Sequence, residues 1–201
     1  MTLSRLVLWR HGETEYNATG RMQGHLDSML TETGMNQARF AVPVLTGFGS
    51  EVVVASDLRR ARDTATVFTS AVGIPLRIDE RLRETHLGKW QGLTLDEVEA
   101  EWPGAVDVWR SDATFTPPDG ESRVEVAERA VQVVNEVDAE FSGTAMLCAH
   151  GGLISSLTGR MLDLPVEAWS QLAGISNCHW TVFTRRAGRW RLSSYNAGTT
   201  R

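Results

Sequence analysis

The chain has 201 residues, 42% of them hydrophobic and 22% charged, and carries a formal net charge of −5. That length suffices for one large domain with a substantial core and needs no disulfide or metal staple, and the apolar content excludes a disordered chain. The acidic balance speaks against general nucleic-acid binding, and no stretch approaches 18 uninterrupted apolar residues or reads as a cleavable leader, so no nucleic-acid or membrane partner is expected.

The apolar run Leu6 to Trp9 predicts a first strand, which delivers the chain into the octet RHGETEYN, Arg10 to Asn17. Val52 to Ala55 predicts a second strand. The segment from Arg59 to Val72 sets Ala61, Ala65, Phe68 and Val72 at helical intervals, with Ser56 or Asp57 to cap its start. Between Leu82 and Gly120 the composition changes, with Trp90, Trp102 and Trp109 among acidic residues and the turn signal PPDG at its end. This stretch, about 82–120, reads as a cap inserted over the site, too short to have its own core. A helix is expected from Ser122 to Phe141, with Val124, Ala127, Val131, Val134 and Phe141 on one face. Ala145 to Ala149 predicts a third strand, followed by a Gly-Gly turn and a helix from Leu153 to Leu162. Trp180 to Thr184 and Trp190 to Tyr195, around Ala187 and Gly188, predict a β-hairpin at a sheet edge. Strand, polar turn and helix in repetition give an α/β sheet in one domain spanning 1–201. Cys148 and Cys178 lie in apolar surroundings without metal spacing, which predicts buried thiols in a reducing, cytoplasmic setting.

Arg10 and His11 put a planar guanidinium beside an imidazole that is neutral near neutral pH, on a turn where Gly12 lets the backbone approach a ligand. A phosphate-attacking histidine can be built that way. Three other segments stand at predicted strand ends: SDLRRARDT from Ser56, RETHLGKWQG from Arg83, and AHGGLI from Ala149. Ligand sites of open α/β sheets gather outside the carboxyl ends of strands, so these segments can converge. Taken singly, each has a plainer reading: His150 as a helix cap, Arg60 and Glu84 as solvated surface charges, Asn17 as a turn former.

Together and in this order, the four segments resemble the histidine phosphatase superfamily, with its phosphoglycerate-mutase-like fold, over nearly the whole chain. The resemblance implies a three-layer α/β/α sandwich with a small cap insertion. It implies His11 as the nucleophile that becomes phosphorylated. Arg10, Asn17, Arg60 and His150 are implied as the phosphate pocket, and Glu84 as the acid/base carboxylate. Arg60 rather than Arg59 fits the family pattern. The charge of the transferred phosphoryl group then falls to Arg10, Arg60 and a protonated His150, and the same cations keep His11 unprotonated. Glu84 protonates the leaving alkoxide and later takes a proton from water. An acid-to-neutral pH optimum and no metal or other cofactor are expected.

Cofactor-dependent mutases of the superfamily carry a long basic insertion after the acid/base glutamate; here acidic residues stand in its place, which favours hydrolysis. RMQGHLDSMLTETG from Arg21, LRETHLGKWQGLT and GESRVEVAERA closely resemble the actinobacterial glucosyl-3-phosphoglycerate phosphatases within the superfamily, so the expected partner is a small-molecule phosphate ester of that kind. Broad-specificity or sugar-phosphate phosphatase, mutase, and non-catalytic phosphate-binding module stand as alternatives. Gln23 offers an amide to a phosphate or substrate oxygen. Arg21, Arg83 and Arg123 are candidates to meet a glycerate carboxylate. His25 and His179 read as structural, and His86 as a candidate for the pocket wall. The hairpin edge makes a homodimer a candidate assembly.

Overall fold

Leu6, Val7, Leu8 and Trp9 are all fully buried, so the first strand has no wet face and must be covered on both sides. Successive side chains of a strand alternate between faces, and here they enter two different cores. Leu6 and Leu8 join one cluster, Val7 and Trp9 the other. A sheet that is apolar on both faces calls for helices on both faces, which is the three-layer α/β/α sandwich.

The computed structural model describes residues 2–199. In chain order its elements are β1 (Arg5–Arg10), α1 (Glu15–Ala18), α2 (Glu32–Thr46), β2 (Ser50–Ala55), α3 (Arg59–Val72), β3 (Leu76–Ile78), α4 (Leu95–Glu101), α5 (Ala105–Ser111), α6 (Arg123–Glu140), β4 (Thr144–Ala149), α7 (Gly151–Met161), β5 (Trp180–Arg186) and β6 (Arg189–Ala197). The sheet order is β3-β2-β4-β1-β5-β6. The first four strands in that order run parallel; β5 is antiparallel to β1 and β6 antiparallel to β5. Helices α2 and α3 cover one face through Ala38, Ala41, Leu45, Ala65 and Phe68. Helices α6 and α7 cover the other through Val126, Val133, Leu153 and Leu157.

Register aligns the strand ends. Arg10 pairs with Ala149 and Ala55 with Cys148, so β1, β4 and β2 finish side by side. The residues that follow stay tied together: the His11 N–H donates to the Ala149 carbonyl at 3.0 Å and the Ser56 N–H to the Cys148 carbonyl at 3.0 Å. Three distant segments thereby leave the sheet at one place.

Several expectations need correction. Helix α3 starts without a side-chain cap: Leu58 is its N-cap, Ser56 Oγ accepts from the Leu58 N–H at 3.3 Å, and Asp57 is engaged elsewhere. On α6 the buried stripe is Val126, Ala130, Val133 and Val137 together with Ala127 and Val134, while Val124 and Val131 are only partly covered. The helix packs on both the sheet and α7, so its apolar face is wider and rotated from the predicted one. Helix α2 escaped the sequence reading because small residues form much of its buried side, Gly34, Ala38 and Ala41, and Pro43 lies in its interior. The stretch from Leu82 to Gly120 adds no strand to the sheet but does bury an apolar cluster of its own. Trp90 is fully buried with Trp109, Trp102 and Phe115 at ring-centroid distances of 6.1, 6.2 and 5.7 Å, and Met22 completes the cluster from outside the stretch. Three indoles bury enough area to do this in few residues. The hairpin turn of β5 and β6 uses Ala187 and Gly188, both at positive φ, as a two-residue loop requires.

Gly12 serves the packing of the loop against a helix. Its backbone faces α2, and a Cβ there would fall 2.9 Å from the Gly34 carbonyl carbon, while one on Gly34 would fall 2.8 Å from the Glu13 nitrogen. The glycine pair lets the His11 loop lie directly against the start of α2. Gly12→Ala or Gly34→Ala is therefore expected to cost about 1–3 kcal/mol, read as a lowered midpoint in urea with an unchanged slope.

Candidate active site

His11 follows β1 and is almost completely buried. Its Nδ1 lies 2.7 Å from the Gly12 carbonyl oxygen, a group that can only accept, so Nδ1 carries the ring proton and Nε2 holds a free lone pair. Its backbone is pinned from both sides, since the His11 carbonyl accepts from the Cys178 N–H at 3.1 Å and from Asn177 Nδ2 at 3.2 Å. Burial, then Arg60, then Arg10, hold its pKa well below the ordinary histidine value. The imidazole is neutral.

His150 follows β4 directly and has no exposed surface; its ring centroid is 5.1 Å from that of His11. Here the tautomer is reversed. Arg60 Nε donates to His150 Nδ1 at 3.2 Å, so the proton sits on Nε2, which is buried without a partner in the protein. Burial and then Arg60 push the His150 pKa well below its ordinary value. The expected protonated His150 is thus replaced by a neutral N–H donor, because an accepting Nδ1 beside a guanidinium cannot also hold a proton. Nor does His150 cap α7 with its side chain.

Arg60, in the first turn of α3, is completely buried. It donates to the carbonyls of Leu26 and Gly24, each at 2.7 Å, as well as to His150. A guanidinium has five N–H bonds, so two remain. Burial brings its pKa down to about 10, which leaves it charged at neutral pH. The neighbouring Arg59 faces outward, in an ion pair with Asp63 at 3.4 Å. Arg10 bonds the Ile175 carbonyl and keeps its Nε buried without a partner.

Glu84 lies across the cavity on the start of α7. Its Oε2 accepts from the Gly152 N–H at 3.0 Å, and its Oε1 from Leu153 N–H at 3.0 Å and Thr85 N–H at 2.9 Å. The positive end of a helix suits a carboxylate. The Gly-Gly pair explains how it gets there: a Cβ on Gly152 would fall 2.6 Å from Glu84 Oε1, and one on Gly151 3.3 Å from Arg10 Nε. Asn17 Oδ1 is occupied by the Thr14 N–H at 3.2 Å and by Asn177 Nδ2 at 3.1 Å, and Gln23 Oε1 by Thr14 and Ser28 hydroxyls. With both carbonyls tied down, these residues have amide N–H groups to offer the cavity they line.

Arg10, His11, Asn17, Gln23, Arg60 and Glu84 all line one cavity of about 200 Å³. His150 stands behind it against His11. Of the other candidates, Arg83 is taken by Asp57, with Nε to Oδ1 at 2.8 Å, and does not face the cavity. Arg21 lines the cavity but bonds the Gly92 carbonyl at 2.6 Å and Glu97 at 3.1 Å. His86 stacks edge-on against His25 at 4.8 Å, and His25 holds the Glu84 carbonyl at 2.7 Å. His179 bonds the Asn196 carbonyl at 2.9 Å. Sequence reasoning missed Arg129, which donates to that same Glu84 carbonyl at 2.9 Å and pairs with Glu121 at 2.6 Å, and Asn177, which joins His11 to Asn17. Asn177 lies in no segment with a local signal, and Arg129, although inside GESRVEVAERA, reads there as one more helix-surface charge; each is defined by what folds against it.

Two buried imidazoles held neutral make stability depend on pH with a definite sign. Below the ordinary value of 6.5 the unfolded chain takes up protons that folded His11 and His150 refuse. Their stabilisation is complete above pH 6.5 and is lost as pH falls from there, with a slope of up to about 1.4 kcal/mol per pH unit for each histidine. His25, also depressed by burial, adds in the same direction. Urea unfolding between pH 7.5 and 5 should show this decline, and His150→Asn should flatten it.

The family model for the histidine phosphatase superfamily (branch 1) matches residues 6–198. A glucosyl-3-phosphoglycerate phosphatase of Mycolicibacterium vanbaalenii is 47% identical over 98% of this chain and 96% of its own length. A solved structure of a mycobacterial glucosyl-3-phosphoglycerate phosphatase complexed with VO3 superposes with a TM-score of 0.94 at 47% identity, covering 97% of this chain and 100% of that one. A probable phosphoglycerate mutase of Photorhabdus laumondii is 32% identical over 95% of this chain and 89% of its own length. With the motifs in order, the sandwich around them and a family match from the first strand to the last, the chain belongs to the histidine phosphatase superfamily, branch 1.

Proposed function

We propose that this protein hydrolyses phosphate monoesters through a phosphohistidine on His11, and that its substrate is glucosyl-3-phosphoglycerate. His11 carries the reading: a buried, neutral imidazole whose Nδ1–H is fixed on the Gly12 carbonyl has only Nε2 available, as a lone pair in a cavity walled by cations. Nε2 forms a bond to phosphorus as the ester P–O bond breaks. Arg10 Nε, the two free N–H bonds of Arg60, the His150 Nε2–H and the amides of Asn17 and Gln23 are fixed donors for the charged oxygens. Glu84 gives its proton to the departing alkoxide. In the second step its carboxylate takes a proton from water as that water attacks phosphorus, the P–N bond breaks, and His11 is restored. The α7 N–H groups that hold the Glu84 oxygens keep them beside the cavity in both steps.

The substrate rests on the relatives, which at 45% and 47% identity carry the name glucosyl-3-phosphoglycerate phosphatase, against 30–33% for the probable mutases. Solved relatives are complexed with VO3 and with inorganic phosphate, which supports an oxyanion as the ligand of this protein. The missing basic insertion favours water over a second substrate as acceptor. Both cysteines are buried free thiols, which suits a reducing, cytoplasmic setting. A homodimer through the free edge of β6 is part of the proposal, and sedimentation equilibrium giving a monomer mass would remove it.

The test is phosphate release in chelator from glucosyl-3-phosphoglycerate, 3-phosphoglycerate and a chromogenic phenyl ester. The glucosyl ester should have the highest specificity constant, and His11→Ala should lose at least about 1000-fold on every ester. Glu84→Gln should cost roughly 100- to 10,000-fold on the alkyl esters but far less on the phenyl ester, whose leaving group needs no proton. Equal losses on both ester types would move the acid role away from Glu84, and activity that required added magnesium would sink the mechanism.

A further inference from the structure

We propose that a second cavity beside Glu84 receives the leaving group of the ester, and that Arg123 in its wall recognises a carboxylate on that group. The inference rests on the phosphatase reading above. This cavity, of about 580 Å³, shares Arg10, Glu84, Trp109 and Gly152 with the smaller one that holds His11. The smaller cavity, about 200 Å³, suits a phosphoryl group, whereas the larger falls in the range that encloses a sugar-sized ligand. Because Glu84 borders both, a group leaving from phosphorus enters the larger one past the residue that protonates it.

The charged side chains of the wall are three cations, Arg10, Arg110 and Arg123, against one carboxylate, Glu84. Arg123 Nη2 donates to the backbone carbonyls of Trp109 at 2.7 Å and Arg110 at 3.2 Å, yet its Nε is buried without a partner. Elsewhere the half-buried arginines Arg81, Arg83, Arg129 and Arg185 each pair with a carboxylate at 2.9 Å or less. Arg123 has no such pair among the described residues. The nearby Asp112 turns its Oδ1 to the Thr114 N–H at 2.8 Å and hydroxyl at 2.7 Å instead. Burial lowers the Arg123 pKa, with Asp112 opposing. With Nη2 spent on the two carbonyls, Nε–H and the Nη1 N–H bonds remain as single charged donors, and the acceptor they suit is an anionic oxygen such as a carboxylate's. Arg110 adds its charge to the same wall, and the Trp109 indole N–H, also buried and unpartnered, is a donor for a hydroxyl. A 2-hydroxy acid bearing a polyhydroxyl substituent meets all three.

The two carbonyl bonds would also make Arg123 a tie between α6 and the end of α5, and the experiment has to separate that role from recognition. 3-Phosphoglycerate and glycerol 3-phosphate differ only where one has a carboxylate and the other a hydroxymethyl group. In Arg123→Gln the ratio of their specificity constants should fall about 10- to 100-fold toward glycerol 3-phosphate, and Arg123→Lys should restore part of it. A ratio unchanged from wild type, whatever the absolute rates or thermal stability, would overturn the proposal. Calorimetric binding of both compounds to His11→Ala, with and without Arg123→Gln, reads the same ratio without turnover. Failure of wild type to release phosphate from any ester would therefore strike the phosphatase reading alone, while the binding ratio still decides the role of Arg123.

Discussion

A guanidinium with no exposed surface, that of Arg60, sets the terms for its surroundings. Burying an unpaired cation costs several kcal/mol unless hydrogen bonds replace its water. Three replacements come from the carbonyls of Gly24 and Leu26 and the lone pair of His150. That last bond fixes the tautomer of His150, and burial, reinforced by the charge of Arg60, keeps both His150 and His11 unprotonated. One buried cation thus adds to what burial imposes on two imidazoles and leaves N–H donors beside a lone pair. The arrangement is costly to an empty fold and favourable to a bound dianion. In the proposed reaction, the energy given up in folding returns when a phosphate dianion takes the free donors.

The negative partner is held by a different device. Glu84 makes no direct ion pair with Arg10 or Arg60, which would tie up its proton-transfer oxygens. It takes its bonds from the backbone at the start of α7, and that helix begins directly after His150. The two glycines at that start leave room for Arg10 on one side and Glu84 on the other. A single turn after β4 therefore positions cation, imidazole and carboxylate relative to one another. His25 and Arg129 fix the Glu84 carbonyl from behind, so the acid is anchored at its backbone as well as its side chain.

The sandwich supplies the phosphate chemistry, while the tryptophan-rich stretch after Leu82 shapes what else the ester can be. Trp109 packs on Trp90 in that stretch's own cluster and at the same time borders both cavities. Substitutions in that cluster should be felt in substrate preference before they are felt in the phosphoryl-transfer step, because His11, Arg60 and His150 are held by the sheet.

The sequence by itself showed the α/β alternation and the candidate reacting groups. Four alternating buried residues in β1 require cover on both faces, and helices of 14 and 18 residues were legible from their apolar spacing, the longer one also from its Ser122 cap. Arg10, His11, Arg60, Glu84 and His150 stood out because their local motifs are dense in chemistry. Tertiary structure alone decided their states. That His150 is a neutral donor follows from Arg60, which is 90 residues away in the chain. That Arg83 is spent on Asp57 while Arg123 is left with a free Nε follows from which carboxylates the fold brings near, not from any motif. Local pattern reports what a residue can do, since propensity and side-chain chemistry act over a few positions. Charge, tautomer and accessibility depend on the low-dielectric surroundings, and those exist only once distant segments have packed together.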